Sequence, residues 1–433
     1  MDHQREVTGC LNGDFFGAGF GPVSGRFLAK AASGTIIFAD EQDCEIARST
    51  FIKLSSRENS TFTLFNVTIG TNFHWERTED QTFQGGLILT QREDGAIAAI
   101  NEIHLDDYLQ SVISSEMNPI APREFLRAHA ILSRSWLLKA LERKKQITRT
   151  TSAPIEEIVG KEKEITRWYE QEDHDLFDVC ADDHCQRYQG TTRIVSEGAA
   201  EAVRETRGQI ITYDDEICDA RFSKACGGLT EKFETAWADK HIPYLTSISD
   251  AAVVHNSVET EEDAARWVLS EPDAYCNTKD AAILENILPD FDRETTAFFR
   301  WEVDYSREEL EEILREKSGF DFGTLKEIQP LSRGASGRIY RLRIVGSKKS
   351  VVVGKELEIR RWFSRSHLYS SAFIVKTECN PDGEVKRFVL QGAGWGHGVG
   401  LCQIGAAVMA TKGFSAEDIL KHYFPGTEIR NIY

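Results

Sequence analysis

The sequence has no run approaching the ~20 consecutive apolar residues that a membrane-spanning helix needs, so no transmembrane segment is expected. It has no excess of positive charge. Fifty-one Lys and Arg stand against 69 Asp and Glu, a net charge of −18, which argues against a nonspecific nucleic-acid surface and against docking on anionic lipid. There is no internal repeat and no low-complexity segment. The N-terminal MDHQREVTGC has no apolar leader core, so the expectation is either an intracellular chain or one that follows a removed leader. Nine cysteines are scattered along the chain and odd in number, which excludes a dense secreted disulfide framework; most read as buried small hydrophobes. What is present is 433 residues at 41% apolar content, enough for two or three domains and a sizeable core.

The patterning predicts an α+β fold, mainly antiparallel β with several packed helices around a groove, plus a small N-terminal β region. Residues 1–79 hold short β-like runs (GTIIFA, STFTLFNVTIG) between glycines and polar turns. A core portion is expected over 80–239, opening with a hairpin in which LILT and IAAI flank a turn at Glu93-Asp94-Gly95. Residues 141–172 are strongly charged and read as a solvated loop–helix excursion. QIITY and CDARFSK read as strands around a turn at Asp214-Asp215. A mixed α/β insert or second lobe is expected over 240–385, with an acidic helix at 306–319 and two-faced strands at 338–346 and 350–354. Residues 386–433 then supply a strand, a glycine-rich loop and two helices.

The stretch from His104 to Leu141 organises the reading. Leu105, Tyr108, Val112 and Ile113 suit a short helix, which breaks off at Ser114–Asn118 before Pro119. Pro122 sits where a second helix begins, and Phe125, Ala128, Ile131, Leu132, Trp136 and Leu138 mark its buried stripe. Glu116 thus falls in a tight connection between packed elements, where partial desolvation would raise a carboxyl pKa and suit it to carry a proton. Capping of the next helix, or an ion pair with Arg123, is the structural alternative. Asp106 and Asp107, the nearest other carboxylates, read as caps of the first helix.

Three further groups could carry chemistry. Six glycines from Gly392 to Gly405 surround Trp395, His397 and Gln403, and suit either a ligand loop or a buried loop that needs small residues. His174, Cys180, His184 and Cys185 are zinc-ligand types in an H-x5-C-x3-H-C spacing that matches no standard finger. A disulfide or two core cysteines would also explain the two thiols, and His184 is left out of the ligand set because it adjoins Cys185. Cys226 with His397 would make a thiol–imidazole pair if the two met.

HLDDYLQSVISSEM followed by FLRAHAILSRSW resembles the core motif of the SpoIID/LytB family, the stage II sporulation protein D group. DVCADDHCQRYQG, FSKACGGLTEKFETAW and GWGHGVGLCQIGAAVMATKGFSAEDILKHYFPGTEI resemble its later motifs in the same order, so that the likeness spans about residues 80–433. The resemblance implies a cell-envelope lytic transglycosylase acting on peptidoglycan glycan strands, with Glu116 as the single general acid/base. Such an enzyme uses the muramic acid C6 hydroxyl in place of water, so one carboxyl can serve both proton transfers. By resemblance and polarity, Arg134, Gln186, Tyr188, Ser223, Trp395, His397 and Gln403 are the candidates to line the glycan groove. The family also admits a noncatalytic glycan-binding role that enhances a partner cell-wall amidase. It admits zinc on His174, Cys180 and Cys185 without requiring any cofactor.

Overall fold

The computed structural model describes residues 4–57, 59–71, 76–146, 155–159, 162–169, 174–294 and 297–433. In chain order, nine strands come first: β1 (Glu6–Gly17), β2 (Phe20–Ala32), β3 (Thr35–Asp40), β4 (Glu45–Ser49), β5 (Phe51–Ser56), β6 (Thr61–Ile69), β7 (Arg77–Gln84), β8 (Gly86–Gln91) and β9 (Ile97–Glu102). Helices α1 (Leu105–Glu116) and α2 (Arg123–Gln146), strands β10 (Ile155–Val159) and β11 (Glu162–Thr166), and helix α3 (Gly198–Glu205) follow. Next come β12 (Gln209–Tyr213), β13 (Glu216–Ile217), β14 (Phe222–Ser223), α4 (Phe233–Ala236), α5 (Glu261–Val268) and α6 (Ala281–Ile287). The chain continues with β15 (Arg300–Ser306), α7 (Arg307–Ser318), β16 (Leu325–Arg333), β17 (Ile339–Gly346), β18 (Ser350–Gly354) and α8 (Glu356–Trp362). It ends with β19 (Phe373–Cys379), β20 (Val385–Ala393), β21 (Leu401–Cys402), α9 (Gln403–Thr411), α10 (Ala416–Tyr423) and β22 (Glu428–Asn431).

The chain divides into two compact units, each discontinuous: Met1–Pro119 with His174–Arg207, and Ile120–Asp173 with Gly208–Tyr433. This is not the division into four consecutive stretches that composition suggests. No boundary falls near residue 79, because β7, β8 and β9 complete the sheet begun by β1.

In the first unit, nine antiparallel strands form one sheet in the order β4-β3-β2-β1-β5-β8-β9, with β6 pairing β1 and β7. Alternation puts Ile52 and Leu54 of β5 and Phe62 and Leu64 of β6 on the inner side, where Phe15, Phe38 and Leu87 are fully buried. The expected β8–β9 hairpin is present, its turn closed by Gly95 in the left-handed region. Helix α3 packs on α1.

The second unit has a five-stranded sheet, β10-β11-β18-β17-β16, and a three-stranded one, β15-β20-β19. Their core joins Ile339, Leu342, Ile344, Val351 and Val353 to Leu310, Ile313 and Leu314 of α7, residues spaced to share one helix face. The acidic helix expected at 306–319 is α7: Ser306 caps it through its hydroxyl and Gly319 ends it in the left-handed conformation.

Three local expectations are corrected. Ser114, Ser115 and Glu116 do not break from α1; they complete its last turn. The 141–172 stretch is no solvated excursion as a whole: α2 runs on to Gln146, and β10 and β11 form a hairpin, β11 lying parallel to β18. Residues 147–154, 160–161 and 170–172 of it lie outside the described residues. The expected strand at 218–224 is only the two-residue β14, parallel to β21. All other paired strands but β11–β18 are antiparallel among the described residues, so the α+β class holds.

Candidate functional site

Glu116 is the last residue of α1 and its side chain is 6% exposed. From Ser111 onward every residue of that helix is buried. The Glu116 carboxylate is held from the segment that re-enters the first unit, where the Arg187 backbone N–H donates to Oε1 at 2.9 Å. That segment is itself fastened down at several points. Thr71 N–H donates to Asp182 Oδ2 at 2.9 Å, and Arg193 grips Glu79 at 2.8 and 2.9 Å. Thr191 N–H donates to the Thr82 carbonyl of β7 at 2.7 Å. Gly190 comes so close that a Cβ would lie 2.1 Å from the Thr82 oxygen, at a φ of +58°.

Asp183 is a carboxylate that sequence reasoning missed. Its Oδ1 accepts from Arg187 Nε at 2.6 Å, so Arg187 serves two acids, one through its backbone and one through its guanidinium. Burial pushes the Asp183 carboxyl up to about 7; Arg187 opposes this, while Asp182 and Glu116 add to it. The Tyr108 hydroxyl is buried with no hydrogen-bond partner among the described residues. Burial raises it well above the ordinary phenol range, and the Cys185, Cys180, Tyr188 and Glu116 charges add to that.

His174, Cys180, His184 and Cys185 meet in this unit, their donor atoms all within 4.8 Å of one another. Cys185 Sγ lies 3.4 Å from His174 Nε2 and 3.6 Å from His184 Nδ1. Two donors sharing a tetrahedral zinc would sit about 3.6 Å apart given ordinary Zn–S and Zn–N lengths. Hydrogen bonding from Cys185, then burial opposing it, then the two imidazoles together hold the Cys180 thiol far below its usual range. The donor set therefore suits zinc. His184 joins it, contrary to the expectation that adjacent His184 and Cys185 exclude each other.

The predicted groove residues divide between the units. In the first, Gln186 is fully buried and Tyr188 is 8% exposed. Tyr188 stacks on Tyr108 at 5.0 Å, packs on Phe83 at 5.9 Å and gives its hydroxyl proton to Asn101 Oδ1. It is a core side chain, not a groove wall.

In the second unit, Arg134 has no exposed surface and donates from Nη1 to the Gln209 carbonyl at 3.2 Å, tying α2 to β12. Ser223 is buried on β14, its hydroxyl without a hydrogen-bond partner among the described residues. Trp395 is half-buried and stacks on Tyr369 at 4.1 Å, and its backbone pairs with Ala225. His397 accepts the Val399 N–H on Nδ1 at 3.0 Å and sets its ring edge-to-face with Trp237. Burial, with Arg221, Arg338 and Arg360 adding, keeps that imidazole well below its ordinary pKa and hence neutral. The Cys226–His397 pair is not formed. Cys226 Sγ instead faces Cys276 Sγ at 3.7 Å, and burial raises its thiol well above the usual range. The glycine loop around these residues is a packing device: a Cβ at Gly398 would lie 2.4 Å from Arg338 Cζ, and one at Gly400 2.1 Å from the Arg221 carbonyl oxygen.

Gln403 is 1% exposed and its amide donates to His129 Nε2 at 3.2 Å. Burial, with the Lys224 charge adding, lowers the His129 imidazole to about 3. The unfolded chain would bind a proton there below about pH 6.5 that the folded chain refuses down to about 3. Stability from this group is therefore full above 6.5 and falls on acidification. In urea titrations, wild type should lose roughly 2–3 kcal/mol more than His129→Gln between pH 7 and 4.5. Parallel pH profiles for the two proteins would rule the effect out.

Residues 93–213 match the family model described as Stage II sporulation protein, and residues 231–400 match one described as a domain of unknown function. Over 331 residues the chain is 23% identical to Stage II sporulation protein D of Bacillus amyloliquefaciens, covering 76% of this chain and 75% of that one. It is 24% identical over 332 residues to the protein of that name from Bacillus subtilis (strain 168), covering 76% of each. It is also 23% identical over 234 residues to a Bacillus subtilis protein named Amidase enhancer, across 53% of this chain and 32% of that one. Glu116, Asp183 and the four His and Cys donors all fall inside the 93–213 match.

Proposed function

Starting from a chain that carries a stage II sporulation protein domain, we propose that it is an envelope-associated lytic transglycosylase, cleaving MurNAc–GlcNAc bonds of glycan strands with Glu116 as general acid and base. The observation that carries this reading is the Glu116 carboxylate, buried at the end of a rigid helix and aimed by the Arg187 N–H. In the first step Glu116 protonates the glycosidic oxygen as its bond to C1 breaks. In the second the C6 hydroxyl of the same sugar attacks C1 and returns its proton to Glu116, leaving a 1,6-anhydro ring and consuming no water. One carboxyl serves both transfers, worth about 10²–10⁴ in rate; orientation in a site shielded from water supplies more.

His174, Cys180, His184 and Cys185 would hold a zinc ion, and that ion would supply a structural clamp at the base of the segment leading to Arg187. The chain's own residues do the rest: the Arg187 N–H orients Glu116, and the Arg187 guanidinium pairs with Asp183.

The relative named Amidase enhancer favours a second reading, a noncatalytic glycan-binding module that stimulates a cell-wall amidase. Purified protein incubated with peptide-free glycan strands, with no other hydrolase present, separates the two. The lead reading expects fragments with 1,6-anhydromuramoyl ends by mass spectrometry. Intact strands, with stimulation of an added amidase on whole sacculi, would replace it with the second.

A further inference from the structure

The second unit contains a separate group of donors that no other part of the chain's chemistry explains. Cys226 follows β14, Asp250 and Cys276 lie in loops, and Cys402 immediately precedes α9. They are 2%, 0%, 2% and 0% exposed, and their donor atoms lie within 4.8 Å of one another. The Cys226 and Cys276 sulfurs are 3.7 Å apart. That is far beyond a disulfide bond, yet it matches the ~3.8 Å edge of a tetrahedron of thiolates around zinc at about 2.3 Å.

From this juxtaposition we infer a metal site: Cys226, Asp250, Cys276 and Cys402 form a closed three-thiolate, one-carboxylate site for a single zinc-class divalent cation.

The surroundings are those of a built site. Cys226 N–H donates to Cys402 Sγ at 3.2 Å, and Gly228 N–H to Cys226 Sγ at 3.4 Å, so two sulfurs are oriented by backbone donors. Asp250 accepts from Cys276 N–H at 2.9 Å and from the Tyr423 hydroxyl at 2.5 Å, which fixes the carboxylate and still leaves lone pairs for a cation. A hydrophobic role for three cysteines would not put a fully buried carboxylate among them. A fourth protein donor leaves no open position, the mark of a structural rather than a catalytic zinc.

Charge points the same way. Three thiolates, a carboxylate and a divalent cation sum to −2. Two guanidiniums adjoin the group, that of Arg338 fully buried and that of Arg300 partly buried. Arg338 donates to the Cys226 carbonyl at 3.1 Å, and Arg300 donates to the Gly227 carbonyl at 3.0 Å. The hydrogen bonds of Arg338 go to the Gly396 and Cys226 carbonyls and the Ser336 hydroxyl. Those of Arg300 go to the Ser270, Gly227, Phe299 and Trp267 carbonyls. None of these acceptors is a carboxylate; the charges of Glu356 and Glu231 also act on Arg338 and that of Glu271 on Arg300, and a dianionic metal centre would add to that negative charge.

The test uses the full chain with Cys180→Ser and Cys185→Ser, which disables the donor group of the first unit. After reconstitution with zinc and gel filtration, elemental analysis should find about one zinc per chain. Cobalt(II) added to the apo form of the same variant should give thiolate charge-transfer absorption. Adding Cys276→Ser should abolish both signals. If that triple variant fails to fold, Asp250→Asn on the same background should keep the thiolate absorption while weakening cobalt affinity at least tenfold. Under about 0.1 zinc per chain in the folded double variant, or a Cys226–Cys276 disulfide found by mass spectrometry in the zinc-reconstituted protein, would overturn the site.

Discussion

Glu116→Gln should lower the rate of anhydro-end formation from glycan strands by about 10²–10⁴, with the fold intact. The substitution is close to isosteric. A glutamine carbonyl can still accept the Arg187 N–H that the carboxylate accepts at 2.9 Å, so α1 and the 182–193 segment stay where they are. What is lost is the transferable proton, needed once toward the leaving oxygen and once back from the sugar hydroxyl. The measurement is product formation followed by mass spectrometry, beside a circular dichroism melt of each protein. An unchanged rate with an unchanged melt would remove Glu116 from the chemistry. A lost rate with a lowered melting temperature would be ambiguous for Gln, and Glu116→Asp then decides: it keeps the acid but withdraws it, so activity should fall while the charge remains.

Glu231→Ala should destabilise the protein by about 3–5 kcal/mol in urea unfolding, the range for breaking a buried, multiply bonded charge. Glu231 is completely buried and accepts from Ala335 N–H and Ser336 N–H at 3.0 Å each, from Ser336 Oγ at 2.6 Å and from Lys232 N–H at 2.8 Å. Alanine would leave those donors without acceptors and open a void where the carboxylate was. The damage would travel. Ser336 Oγ accepts from Arg338 Nη1 at 2.8 Å, and Arg338 in turn holds the Gly396 carbonyl at 3.0 and 3.1 Å. Glu231→Gln keeps the shape but turns an NH₂ toward N–H donors, so a smaller loss is expected. A change under about 1 kcal/mol for the alanine variant would show that water or repacking satisfies these donors instead.

Much of the fold was legible in local sequence because its signals are local. The Asp214-Asp215 turn is as expected, both residues at positive φ (48° and 66°), a conformation that short polar side chains tolerate. Helix α7 begins at its serine and stops at its glycine. The failures concern partners far away in the chain. The charged sequence at 162–166 is a strand only because it lies against Ser350–Gly354, and there Glu164 meets Arg341 of the next strand at 2.7 Å. Nothing within the stretch announces that.

The candidate site shows the same division. Glu116 was readable as a motif, but what orients it is a backbone N–H, which no residue type encodes. Adjacency in sequence argues against His184 and Cys185 both facing one ion, since neighbouring side chains point apart in extended backbone. The chain turns at 182–185, where Cys185 N–H bonds the Asp182 carbonyl, and both side chains reach the same point. Asp250 and Cys276 carried no signal at all, since each becomes a neighbour of Cys226 only through the fold. Arg134, Tyr188 and Gln403 illustrate the opposite division: resemblance and polarity suggest walls of a glycan groove, while in the structure each is buried and makes an internal hydrogen bond.

The interleaving of the two units has a consequence for how the molecule is made. During synthesis from the N-terminus, the first unit has all the strands of its sheet by Glu102 but waits for residues up to Arg207 to leave the ribosome before its last pieces arrive. The other unit waits longer still, because Ile210 and Ile211 find their strand partners, Arg430 and Ile429, only once those residues have been made. A protease nick or a premature stop between Pro119 and His174 would therefore leave two unfinished parts and not one finished one.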